Sequence, residues 1–149
     1  MAESQGGIDM TSIPNFSHSA QQAQQWVNEL ATELGWSDRR AFHFLKAVLT
    51  TLRDWLSPEE SADLSAQLPT LIRGIYFEGW NPADAPAAER KKQDFIMRVE
   101  SALGYETNIN YDGAINAVFA LIDRHISQGE SVQVRASMKK SLRQLWPAH

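Results

Sequence analysis

The sequence contains no cysteine. This absence excludes disulfide frameworks, thiolate metal sites, iron–sulfur clusters and cysteine nucleophiles, so packing must stabilise the fold. The sequence also has no apolar run near the roughly 20 residues that span a bilayer. Residues 1–20 lack the basic start and apolar stretch of a signal peptide. We therefore expect a cytoplasmic protein that has no membrane partner.

Common catalytic and cofactor motifs are missing as well. No GxSxG elbow, phosphate loop, dinucleotide fingerprint or HExxH occurs in the chain. The histidines do not have the spacing of metal ligands; they are His18, His43, His125 and His149. We expect no metal and no cofactor, and we favour a non-enzymatic function while leaving an enzyme open.

The chain has no strong excess of charge of one sign. Its formal net charge of -4 comes from 14 basic and 18 acidic residues that are mixed along the sequence. Nucleic-acid binding depends on neutralising many phosphates, so we expect no nucleic-acid partner. Short basic clusters such as Arg39-Arg40 are interpreted as parts of a solvated surface.

The apolar residues of the sequence recur with the periodicity of helices. With 149 residues, 43% of them hydrophobic, the chain suits one compact domain. Residues 1–19 carry few apolar side chains and are interpreted as a tail, which leaves the domain to residues 20–147. Apolar residues at three- and four-residue spacing predict a first helix that ends before Gly35 and a second that follows the N-cap Ser37.

Two further helices are predicted from local signals. Ser57-Pro58-Glu59-Glu60 has the arrangement of a capping box with proline at the first helical position. Pro69 interrupts the pattern and suits the first turn of a new helix, which ends near Gly79.

The second part of the sequence repeats the first. Residues 26–36 align with residues 95–105, and after one inserted residue the apolar positions of residues 45–56 align with those of residues 115–126. Ser57 and Glu60 then align with Ser127 and Glu130. We therefore predict an all-α domain of about eight helices, built as two tandem, pseudo-symmetric four-helix halves, at 20–80 and 90–147, joined by a linker at 81–89. Since a half of this size has a marginal core alone, the halves are expected to share one core.

Several strings resemble a known family. They are GWSDRRA at 35–41, LSPEESADLSAQLP at 56–69, RGIYFEGW at 73–80 and LRQLWP at 142–147. Together they resemble the bacterial domain-of-unknown-function family 2267, over roughly residues 21–147. The resemblance implies an all-helical, soluble bacterial protein and carries over no activity, cofactor or catalytic residue.

An aromatic elbow, residues 77–80, lacks a counterpart in the second half. Its aromatic side chains either bridge the two halves or form an exposed anchor for a partner, since aromatic residues dominate interface energetics. The candidate partner-binding residues are Phe77, Glu78 and Trp80.

A second candidate site depends on the repeat. Arg73 and Arg143 occupy equivalent positions, where two guanidinium groups could converge on an anion in a pocket between the halves, with Tyr76 and Trp146 as lining. The simpler alternative is that each arginine pairs with a nearby carboxylate or favours the negative end of its helix.

These features leave the function unknown. The favoured hypothesis is a helical protein-interaction module that binds a protein partner or a second copy of itself. The alternative is a small-ligand-binding protein or an enzyme with a pocket between the halves.

Overall fold

This computed structural model describes residues 13–88, 91–126, 128–137, 143 and 146. Every regular element among them is a helix, which confirms the predicted all-helical class. The elements follow in order along the chain, with one short 3-10 turn before α5. They are α1 (Pro14–Leu34), α2 (Asp38–Trp55), α3 (Pro58–Ser65), α4 (Thr70–Tyr76), the turn Pro82–Asp84, α5 (Lys92–Ala102), α6 (Tyr111–His125) and α7 (Gln128–Ser137).

The helix ends follow the capping residues in the sequence. The Ser57 hydroxyl accepts from the Glu60 backbone N–H at 3.2 Å, and the Glu60 carboxylate accepts from the Ser57 N–H at 2.9 Å, so the predicted capping box is confirmed. The Ser37 hydroxyl caps α2 by accepting from the Arg40 backbone N–H at 3.2 Å, and Gly35, at φ +68°, ends α1. The second predicted cap depends on Ser127, which lies outside the described residues.

Helix α1 is longer than the sequence predicted. It begins at Pro14, so residues 14–19 are helical and do not belong to a tail, while residues 1–12 lie outside the described residues. Proline suits the first helical position because a backbone N–H there would have no partner within the helix. Once a packed segment has formed a helix, adding further turns to it costs little. The tail was predicted because these residues have few apolar side chains to bury. The side chains are indeed poorly buried, since Phe16 is 52% exposed, but the backbone is helical.

One boundary near the elbow also differs. Pro69 precedes the first turn of α4 as its N-cap and does not lie within that turn. Its extended conformation, with ψ of 153°, ends the preceding turn before α4 starts.

The helices pack into a single compact domain around α2. This helix contacts α1, α4, α5 and α6, and α1 additionally packs against α4 and α6. Leu49, Leu52, Phe119 and Ile122 are among the side chains that are fully buried between these helices. Each fully buried side chain of this kind contributes about 1.5–3 kcal/mol relative to exposure. Within the described residues, no helix combines the length and apolar character that crossing a membrane requires.

Candidate functional site

The two arginines of the predicted anion pocket bond to backbone carbonyls. Arg73 Nε donates to the Ser65 carbonyl at 2.9 Å, and its Nη2 donates to the Leu68 carbonyl at 3.1 Å. Arg143 Nη2 donates to the Ala136 carbonyl at 3.1 Å. Both guanidinium groups therefore satisfy carbonyls near the end of the preceding helix, where intrahelical partners are missing.

The aromatic residues of that predicted pocket lie in the core. The Tyr76 hydroxyl is 3.1 Å from Ser61 Oγ, and burial raises the pKa of this hydroxyl, against a lowering by its hydrogen bond to Ser61. The Trp146 ring stacks on Phe119 at 4.6 Å, and its Nε1 donates to Asp123 Oδ1 at 2.9 Å. The cavities described below are lined by residues other than these two and the two arginines.

The aromatic elbow packs beside α2 and α4, and its Phe77 and Trp80 side chains are half-buried. The Phe77 ring contacts those of Tyr76 and Trp80, with centroids 5.1 and 4.9 Å apart. Glu78 is exposed and forms an ion pair with Lys46 of α2. Gly79 turns the backbone at φ +74°. The described contacts of the elbow thus connect it to α2 and α4.

Arg53 holds the elbow in place, a role that the sequence analysis missed. Its side chain is 7% exposed, and its Nη1 donates to the carbonyls of Tyr76 and Glu78 at 3.3 and 2.6 Å. The other nitrogens bond to the Asp54 carboxylate at 2.9 and 3.1 Å. The signal in the sequence is a charged residue beside Leu52, inside the buried stripe of α2.

A groove runs along the outer face of α2 beside the end of α5. It consists of three adjoining depressions of about 280, 430 and 270 Å³ that share lining residues in series. Thr50 and Ala102 belong to the first two, and His43, Leu103 and Glu106 belong to the last two. We call it the α2–α5 groove. Its lining residues along α2 and its N-cap run from Ser37 to Asp54, so the groove is about 25 Å long.

The α2–α5 groove combines apolar walls with a mainly basic rim. Its basic lining residues are Arg39, Arg40, Lys46 and Arg98, and its acidic ones are Asp54 and Glu106. Phe44, Leu103 and Ile109 supply apolar surface at the end near Trp36. Sequence analysis treated Arg39 and Arg40 as ordinary surface residues because no local pattern shows that α5 packs beside them.

A second cavity, of about 390 Å³, lies between α1, the turn before α4 and the end of α6. Apart from one histidine, its lining residues have uncharged side chains; they are Gln22, Gln25, Trp26, Gln67, Leu68, Pro69, Thr70 and His125. The His125 ring stacks on Trp26 at 4.9 Å, and its Nε2 lies 3.0 Å from Glu29 Oε2. Partial burial acts to raise the pKa of Glu29, but hydrogen bonds from Gln25, His125 and Arg124 outweigh it and lower this pKa.

These arrangements suit binding by shape, hydrogen bonds and charge. In the described part of the chain, no three histidine, aspartate or glutamate side chains are grouped as metal ligands would be. The α2–α5 groove is long and shallow enough to hold a polypeptide segment, whereas the second cavity has the volume of a small-ligand site.

Comparison with known proteins identifies the family and gives no activity. No curated protein matches the chain. The model of the family described as "Uncharacterized conserved protein (DUF2267)" matches residues 23–145, as the sequence motifs predicted. The chain therefore belongs to the DUF2267 family.

Proposed function

We propose that the domain consists of two related four-helix halves, with a last helix around residue 143 as the counterpart of α4. Reciprocal contacts between the halves support this proposal. Trp26 of α1 stacks on His125 at the end of α6, and Phe95 of α5 contacts Trp55 at the end of α2. The repeat aligns Trp26 with Phe95 and His125 with Trp55, so the two contacts are related by exchange of the halves. Such exchange is the signature of a two-fold axis.

A second pair of equivalent positions supports the same symmetry. Arg53 in α2 and Asp123 in α6 align in the repeat, and their side chains are 7% and 8% exposed. Arg53 bonds to the carbonyl of Tyr76, while Asp123 accepts from the indole of Trp146, which aligns with Tyr76. Each half thus uses a buried charge of opposite sign to hold an equivalent aromatic residue.

The function that we infer is partner binding in the α2–α5 groove, by a cytoplasmic module without catalytic activity. The observation that carries it is a difference between the two inter-half seams. In the α1–α6 seam, Arg124 lies 3.3 Å from Glu29 and 3.5 Å from Glu33. Ala102 occupies the position equivalent to Glu33 and lines a depression instead. The shorter side chain leaves a depression at this position, whereas Glu33 forms an ion pair with Arg124 at the equivalent position of the other seam.

The partner segment that fits the groove is an acidic amphipathic helix. The groove is about as long as an 18-residue helix, which spans about 27 Å. Its apolar walls suit one face of such a helix, and its basic rim suits acidic residues on the flanks, although the whole chain carries a net charge of -4. Lys46 lines the groove and forms an ion pair with Glu78 of the aromatic elbow, so the elbow lies beside the groove. In this proposal, Phe77 and Trp80 contact the partner at the edge of the groove.

A blocking substitution tests the groove. Ala102→Trp places a large ring in it at an exposed position, and Met97→Trp places the same ring at a 53% exposed position of α5 that does not line it. The probe is a set of fluorescein-labelled, 18-residue acidic amphipathic helical peptides, whose binding is followed by anisotropy.

We expect Ala102→Trp to weaken peptide binding about tenfold or more, because the new ring occupies the space where apolar side chains of the peptide would bind. The Met97→Trp variant should bind the peptide as the parent does. Equal affinities for both variants would reject the groove. Tighter binding of a single-stranded oligonucleotide than of any peptide would reject the choice of partner.

A second candidate function is recognition of a small neutral polar ligand in the cavity beside His125. The carboxamides of Gln22, Gln25 and Gln67 with the Thr70 hydroxyl offer both donors and acceptors, as a polyhydroxylated ligand requires. Saturation-transfer NMR with neutral monosaccharides tests it. A signal that disappears in Gln22→Leu supports the site, and one that persists unchanged contradicts it.

A further inference from the structure

The guanidinium group of Arg40 is held in a fixed orientation at one end of the α2–α5 groove. Its Cζ lies 4.3 Å from the centroid of the Trp36 ring, over the ring face. Its Nη2 donates to Glu106 Oε1 at 3.2 Å and to the Asn108 carbonyl at 3.1 Å. A stacked and hydrogen-bonded guanidinium loses little further freedom when it binds a ligand.

Donor capacity remains on this guanidinium. Both described hydrogen bonds of Arg40 come from Nη2, and Nε is buried without a hydrogen-bond partner among the described residues. Arginine binds a carboxylate best through two parallel N–H···O bonds, whereas Glu106 takes only one. A buried donor without a partner is costly, so a ligand oxygen that reached Nε would relieve that cost.

We propose that Arg40 is the carboxylate-binding residue of the groove and that Glu106 occupies this position until a partner carboxylate replaces it. This inference rests on the function proposed above. The Arg40 and Glu106 side chains are 35% and 45% exposed, and ion pairs so exposed contribute little, so the exchange has a low cost. Trp36, Phe44 and Leu103 line the surrounding depression of about 270 Å³, which suits an apolar group next to the carboxylate. An aspartate or glutamate side chain and a C-terminal carboxylate both meet this description.

Four single variants test the exchange by anisotropy with the acidic peptides. Since a hydrogen bond to a charged group carries a tenfold to hundredfold effect, we expect Arg40→Gln to weaken binding by about that factor. Arg40→Lys keeps the charge but cannot form the paired bonds, and we expect it to remain about tenfold weaker. Glu106→Gln tightens binding because it removes the competitor. The control Lys91→Gln removes an exposed charge outside the groove and changes affinity less than threefold.

Peptide variants distinguish the two carboxylate sources. If Arg40 binds the terminal carboxylate, amidation of the peptide C-terminus makes affinity independent of the Arg40 substitutions. If Arg40 binds a side chain, glutamate-to-glutamine changes in the peptide have that effect. Equal losses of affinity in Arg40→Gln and Lys91→Gln, or weaker peptide binding by the Glu106→Gln variant than by the parent, would overturn the inference.

A second readout separates this inference from the groove proposal. In Glu106→Gln, sodium acetate should shift the Arg40 Nε–H resonance in a saturable manner, and in the parent protein the shift should need more acetate. If peptides bind and Ala102→Trp blocks them while Arg40 responds neither to substitution nor to acetate, this inference alone fails. If acetate shifts Arg40 Nε–H but no peptide binds, the carboxylate site stands and the groove proposal fails.

Discussion

Arg53 connects α3, α4 and the aromatic elbow through its own atoms. Its guanidinium bonds to the carbonyls of Tyr76 and Glu78, and its carbonyl accepts from the Ser61 hydroxyl at 3.0 Å. Since Ser61 also bonds to the Tyr76 hydroxyl, both ends of Tyr76 are tied to one residue. The position of the aromatic elbow therefore depends on a buried charge.

Replacing Arg53 should be strongly destabilising. Arg53→Met fills much of the volume but removes the hydrogen bonds to the carbonyls of Tyr76 and Glu78 and to the Asp54 carboxylate, so we expect the free energy of unfolding to fall by about 3 kcal/mol. Urea denaturation measures it. The control Arg39→Met, at an exposed position, should stay within about 0.5 kcal/mol of the parent. Similar effects of the two substitutions would contradict this role for Arg53.

The buried Tyr76 hydroxyl predicts a dependence of stability on pH. At neutral pH, Tyr76→Phe should lower the free energy of unfolding by about 1 kcal/mol, because Ser61 loses a hydrogen-bond partner. Burial raises the pKa of Tyr76 above its ordinary value of 10.0. Above pH 10 the unfolded hydroxyl ionises while the folded one stays neutral, so the parent loses stability that the variant keeps.

The measurement is urea denaturation of the parent and Tyr76→Phe between pH 8 and about 11, the range that brackets the ordinary tyrosine pKa. The difference between their unfolding free energies should shrink as the pH rises. A difference that stays constant would show that the hydroxyl titrates alike in both states.

At the scale of helices, the capping box gives a matched comparison. Ser57→Ala removes the hydroxyl that accepts from the Glu60 N–H, and we expect the free energy of unfolding to fall by about 1 kcal/mol. Thr32→Ala removes a hydroxyl from an exposed position within α1 and should change stability by less than about 0.5 kcal/mol. An equal loss in the two variants, measured by thermal denaturation, would contradict a specific cap.

How far each element could be predicted depends on how local its cause is. Ser57, Glu60 and Gly35 fix helix ends through neighbouring residues, so sequence patterns were sufficient. The extra turns of α1 were missed because poor burial was taken for lack of helix. The partners of Arg73, and the role of Ala102 beside α2, depend on packing between elements distant in sequence. A pattern along one element does not contain that information.

At the scale of the whole molecule, helices α1–α4 and helices α5–α7 contribute to one core. The contacts of α1 with α6 and of α2 with α5 cross between these two groups, so a fragment that contains only one group exposes the apolar faces that it buries in the intact chain. We expect a fragment of residues 1–86 to show no cooperative thermal unfolding when its circular dichroism is measured. Cooperative unfolding should return when this fragment is mixed with the remaining one. A fragment that unfolds cooperatively by itself would contradict the shared core.

The proposal for the whole molecule is that the two inter-half seams differ in function: a partner binds in the α2–α5 groove, whereas ion pairs of Arg124 with Glu29 and Glu33 connect the helices of the α1–α6 seam. The most direct measurement is two-dimensional amide NMR during titration with the acidic 18-residue peptide. We predict shifts confined to residues of the α2–α5 groove, led by Arg40, Lys46 and Ala102, with the α1–α6 seam unchanged. Shifts centred on Glu29, Glu33 and Arg124, or spread evenly over both seams, would contradict the account.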